Sequence, residues 1–118
     1  MSRHRSAAAV KLTEAAPVFA ALGDATRLRL VGRLSADGPL SIARLSEGAG
    51  VTRQAVTKHL HALGDAGLVR HARRGRERIW ALEPRRLANA QRCLGHIAED
   101  WDAAIDRLRA FVEEDAHD

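Results

Sequence analysis

The chain has one cysteine, Cys93, no tyrosine, and only two Phe and two Trp among its 118 residues. A lone cysteine excludes an internal disulfide and a multi-thiolate zinc knuckle, and it suits a reducing compartment. So few rings argue against a stacking platform for single-stranded nucleic acid. They leave the core to Leu, Val, Ile and Ala, the material of packed helices. No apolar run approaches the length of a membrane span. The apolar part of the opening MSRHRSAAAV is shorter than a secretory signal requires. A cytoplasmic protein with no membrane partner is expected, with residues 1–12 as a mobile basic arm. A nucleotide-cradling glycine loop is also missing. His59 and His61 have no associated Asp or Cys motif, so neither an enzyme nor a cofactor is expected.

The length suits one domain with a modest core, and charge divides it unevenly. Residues 1–92 hold 17 Lys or Arg against 7 Asp or Glu, a balance of +10, whereas residues 93–118 hold 2 against 8, a balance of −6. The first part can face a polyanion that would repel the second.

Punctuation and periodicity divide residues 13–118 into elements. Thr13 is read as the cap of a first helix, with Pro17 near its first turn and Val18, Phe19 and Leu22 as its apolar face. Gly23 ends it, and Asp24 caps a second helix whose apolar positions are Leu28, Val31 and Leu34. Asp37, Gly38 and Pro39 make a turn. Ser41 then begins a short helix in SIARLSE, with Ile42 and Leu45 inward. Gly48 and Gly50 bracket a tight connection in which Val51 is expected to plug the gap between helices.

Thr52 caps a longer helix, 53–65, with Val56, Leu60 and Leu63 as one buried stripe and Gly67 as its stop. LVRHARRGRERIWAL reads as two strands, 68–73 and 77–82, around Arg74, Gly75 and Arg76. Pro84 opens a last helix over about 85–114. Leu87, Leu94, Trp101 and Leu108 recur there every seven residues, with Ile97 or Ala98, Ile105 and Val112 between them and Phe111 widening the stripe. That helix has more apolar surface than so small a body covers. A homodimer seam built from Val18, Phe19, Leu22, Leu94, Ile97, Trp101, Ile105, Leu108 and Val112 is therefore expected.

This order predicts a mainly α fold with a small β-hairpin wing: a winged helix-turn-helix that dimerises through its first and last helices. Its partner would be double-stranded operator DNA. The polar face of helix 53–65 carries Arg53, Gln54, Thr57, Lys58 and His61, with His59 at the boundary. Such a helix fits the major groove, where Arg pairs with guanine and Gln with adenine. Lys58 and Thr52 are assigned to phosphate. Arg73, Arg74, Arg76 and Arg78 surround the wing tip, where they can enter the minor groove or clamp its phosphates.

LGDATRLRLVGRL, LSIARLSEGAGVTRQAVTKHLHALGDAGLV and RRGRERIWAL together resemble the ArsR-type bacterial repressors over about residues 15–115. The resemblance implies a homodimer that occupies operator DNA and blocks transcription, with many members released by metal. Arg27, in the ATR segment, matches a recurrent family position, read as a link from the second helix to the body. The family's Cys-x-Cys should fall near Leu40–Ala43, where this chain has LSIA. His96 and Glu99 match the later half of another family metal set. The earlier half falls on Glu83 and Arg85, and arginine cannot replace the missing histidine; Asp100 is a further oxygen donor. The expected member therefore lacks the usual complete metal sites, and any effector is unidentified. Two alternatives remain at this point: a metal- or redox-responsive repressor using His96 and Glu99 or Cys93, and a winged-helix interaction module without DNA binding.

Overall fold

A computed structural model describes residues 3–117, with the side chains of residues 12–116. The basic arm expected at residues 1–12 falls largely outside the described side chains, and residues 1 and 2 lie outside the described residues altogether.

Helix α1 spans Arg3–Leu22 and holds Pro17 in its interior. Thr13 is therefore not its cap. The Ala-rich segment before Thr13 lacks an apolar stripe but has strong helix propensity, and propensity sets the start. Helix α2, Ala25–Asp37, begins as expected at Asp24, whose carboxylate accepts from the backbone N–H of Arg27 at 3.0 Å. Its buried side chains are Leu30, Val31 and Leu34, whereas Leu28 is 55% exposed. A strict three-residue spacing drifts round a helix of 3.6 residues per turn, and the tighter set 30, 31 and 34 holds one face.

Leu40 and Ser41 form a short strand, β1, that the sequence did not disclose. Ser41 also caps helix α3, Ile42–Ser46, by accepting from the N–H of Arg44 at 3.2 Å. The connection after α3 leaves Val51 exposed, not filling an interhelical gap. Helix α4 is Arg53–Asp65, and Thr52 caps it by accepting from the N–H of Ala55 at 3.1 Å.

Val56, Leu60 and Leu63 on α4 have no exposed surface and meet Val18, Leu34, Leu45, Leu68 and Trp80 in one core. Full burial of each aliphatic side chain contributes about 1.5–3 kcal/mol. Leu60→Ala is expected to cost about 2–5 kcal/mol, read as a lower urea midpoint at unchanged slope. A loss under about 1 kcal/mol would show a looser core than this one.

Gly67, at φ +78°, turns the chain from α4 into the wing. A Cβ there would fall 2.9 Å from Arg86 Cγ, so both backbone and space call for glycine. Strands β2, Val69–Arg74, and β3, Glu77–Leu82, pair antiparallel with Arg74 opposite Glu77. The two-residue loop starts at Gly75 with φ +65°, the position a primed hairpin turn reserves for glycine. The sheet order is β1-β3-β2, with Leu40 opposite Trp80. Helix α5, Pro84–His117, runs 34 residues and packs along α1. No described helix is long and apolar enough to cross a membrane.

Candidate nucleic-acid interface

Helix α4 is held on the body by its stripe, so the opposite side faces out. Gln54, Lys58 and His61 lie on that outward side and are exposed, as is Arg53 at the helix start. Thr57 is half-buried. Its hydroxyl donates to the carbonyl of Arg53 at 3.0 Å, which leaves the oxygen only as an acceptor toward a ligand. Thr52 is exposed, but its oxygen serves the cap.

His59 turns the other way. Its Nδ1 accepts from Arg27 Nε at 3.2 Å and lies 3.9 Å from Asp24 Oδ1, with 22% of its side chain exposed. His59 thus ties α4 to the start of α2 and does not point outward with its neighbours. Arg27 also donates to the carbonyl of Ala21 at 3.5 Å. This gives the physical content of the link expected for Arg27.

The Asp24 carboxyl is held below the usual carboxylate value, first by the Arg27 backbone N–H. Partial burial opposes this shift, while His59 and Arg27 add to it. A depressed folded value stabilises above the unfolded value and is lost as pH falls through the folded one. Asp24→Asn keeps a capping side chain but removes this titration. The variant should show a shallower loss of stability below about pH 4 than the parent, measured by urea unfolding across acid pH. Parallel acid profiles would contradict this role.

The wing completes the surface. Arg53 and Thr57 face Arg73, Arg76, Glu77 and Arg78 across an open groove whose third side is Ser41, Ile42 and Ala43. Arg73 and Arg78 stand directly opposite each other on β2 and β3. Like charges in that register repel, a cost that an anion in the groove would relieve. Arg74 faces Glu77 at the tip and does not line the groove.

Two positioning features escaped the sequence reading. Arg33 Nη1 donates to the carbonyls of Arg44, Leu45 and Glu47 at 2.7, 3.3 and 3.2 Å. It places a cation at the C-terminus of α3, where the helix dipole favours one, and fixes α3 to α2. His71 and His61 both contact the Trp80 ring, with centroids 4.6 and 5.5 Å away, the latter edge-on. This ring contact links the recognition helix to the root of the wing. Neither feature has a local sequence signal, because each depends on partners far along the chain.

The expected seam is only partly free. Phe19, Leu94, Ile97, Trp101, Leu108 and Val112 are exposed, and Leu22 and Ile105 half-buried. Val18 is 1% exposed and belongs to the protomer's own core. On α5, His96 Nδ1 lies 3.8 Å from Glu99 Oε2, both largely exposed. Glu83 instead faces Arg70 at 3.5 Å. Among the described residues no three His, Cys, Asp or Glu side chains gather as a metal set. Cys93 is buried and lines the same cavity as Ala15 and Val18 of α1.

A polar helix presented beside an arginine-rich wing defines a winged helix-turn-helix regulator that binds DNA. Residues 22–72 match the family model described as a helix-turn-helix domain. The HTH-type transcriptional regulator Rv2034 of Mycobacterium tuberculosis is 34% identical over 98 residues, covering 83% of this chain and 88% of the relative. An ArsR-like transcriptional regulator from Rhodococcus sp. RHA1 superposes with a TM-score of 0.68 at 33% identity, covering 85% of this chain and 93% of that one. The homodimeric winged helix-turn-helix domain Mb0332 of Mycobacterium bovis shares the fold at 20% identity, with a TM-score of 0.58 over 85% of this chain and 89% of its own. The chain belongs to the ArsR family of transcriptional regulators. Proteins of that family act as regulators, not enzymes.

Proposed function

We propose that this regulator is a homodimeric repressor or autorepressor that sits on a palindromic operator. Arg53, Gln54, Lys58 and His61 reach the major groove, with Thr57 at its edge. Thr52 and the arginines at 73, 74, 76 and 78 hold the backbone and the neighbouring minor groove. The observation that carries this reading is the groove between α4 and the wing, where Arg53, Arg73, Arg76 and Arg78 converge, with Glu77 the single acid among the described lining residues. The homodimeric Mb0332 supports pairing, and the exposed stripe on α5 supplies the apolar surface for it. In this reading the regulator does not depend on a metal of the usual kind, because Arg85 stands where that family set needs a histidine. Its place of action is the cytoplasm, where its DNA lies.

Transcription in a purified system tests the repressor reading. A promoter overlapping a selected binding site should fall silent as protein is added and recover when competing site DNA is supplied. Unchanged or raised transcription with the site demonstrably occupied would overturn repression while leaving DNA binding intact.

A further inference from the structure

A cavity of about 480 Å³ lies between α1 and α5, away from the groove just described. Its size is that of a small-molecule site. The floor is Ala15, Val18 and Cys93, all buried. Around it stand Arg85, Arg86 and Arg92, with Asn89 and His96, and Glu14 is the single acid among the described lining residues.

All three arginines are exposed, and two of them have a neighbour on the protein. Arg92 Nη2 donates to Asn89 Oδ1. The stem of Arg86 lies over Gly67, close enough that a Cβ there would meet its Cγ, Cδ and Nε.

The cavity and the exposed apolar stripe lie on different flanks of α5. Residues 85, 89, 92 and 96 follow one helical face, whereas 94, 97, 101 and 108 lie roughly 140° round the axis at about 100° per residue. A seam formed on the stripe therefore does not use the face that carries the arginines.

We infer that this cavity binds a small organic anion: a carboxylate held by Arg85, Arg86 and Arg92, with a short apolar body on Ala15, Val18 and Cys93. Guanidinium forks match the two oxygens of a carboxylate. Inorganic phosphate satisfies the forks but leaves the apolar floor uncovered. The inference stands apart from the reading of the DNA-facing surface, because no cavity residue belongs to it.

Titration calorimetry on the full chain tests it with hexanoate and benzoate, with hexanamide and benzamide as uncharged counterparts, and with inorganic phosphate. The expected result is saturable binding of at least one carboxylate, no binding of its amide, and phosphate at least about tenfold weaker. An Arg85→Gln, Arg92→Gln variant should weaken the carboxylate at least about tenfold while its melting temperature and DNA binding stay at the parent's values. Asn89→Phe, which fills the exposed mouth, should abolish binding and decides the matter if the arginine variant does not fold. Absence of binding by both carboxylates overturns the inference, as does equal binding of an amide or of phosphate. Undiminished affinity in the folded variants does the same. All these outcomes are read with DNA binding intact, so they are distinct from a failure of the regulator reading.

Discussion

An Ile97→Glu, Trp101→Glu double variant will sediment as a monomer and lose at least about two orders of magnitude in operator affinity. Both side chains are exposed in the protomer, Trp101 to 66%, so neither supports the protomer's core. In the proposed homodimer they cover each other across a two-fold axis. Two glutamates on that surface bring four carboxylates into one seam, in a helix whose C-terminal region is already acidic. Desolvating those charges costs more than the remaining apolar contacts return. Separated protomers then bind single half-sites, and the effective concentration that linked the two recognition helices is lost. The helical circular dichroism of the variant should match the parent's. A dimer of undiminished affinity would place the seam elsewhere on the molecule.

The second large effect separates reading from holding. Arg53→Ala and Gln54→Ala are each expected to cost about 1–3 kcal/mol on the preferred duplex and far less on unrelated sequences. Both side chains are exposed at the start of α4, so protein stability should be nearly unaffected. Arg74→Ala with Arg76→Ala acts differently. Removing two cations from the wing tip should weaken all duplexes alike and reduce the salt slope by about two per protomer. Binding measured by fluorescence anisotropy across salt, on preferred and scrambled duplexes, separates these outcomes. Equal losses on both duplexes for Gln54→Ala would remove it from base reading. His59→Ala makes a useful contrast: its ring is bonded to Arg27, so its loss should lower stability rather than discrimination.

Much of this architecture was legible because local chemistry set it. Asp24, Ser41 and Thr52 each cap the helix they precede. The stripe Val56, Leu60 and Leu63 is buried as its spacing predicts. Gly75 closes the wing where the two strands called for a turn. Long-range features were less visible. Strand β1 is too short to show alternation, and it exists only because β3 lies alongside. Leu28 follows the expected spacing yet faces out, because a strict three-residue repeat drifts off the buried face that Leu30, Val31 and Leu34 hold. Val18 sits beside Phe19 in sequence but points into the core. His59 and Thr57 share a helix with the outward groups, and only their hydrogen bonds, one to a residue 32 positions away, show how each is occupied.

The most direct test of the central claim is selection of bound fragments from genomic duplex DNA at low salt, using the purified full chain. A palindrome should be enriched whose half-site centres lie about 34–36 Å apart, one turn of the duplex, or a multiple of that spacing. A folded dimer that enriches no sequence would contradict it.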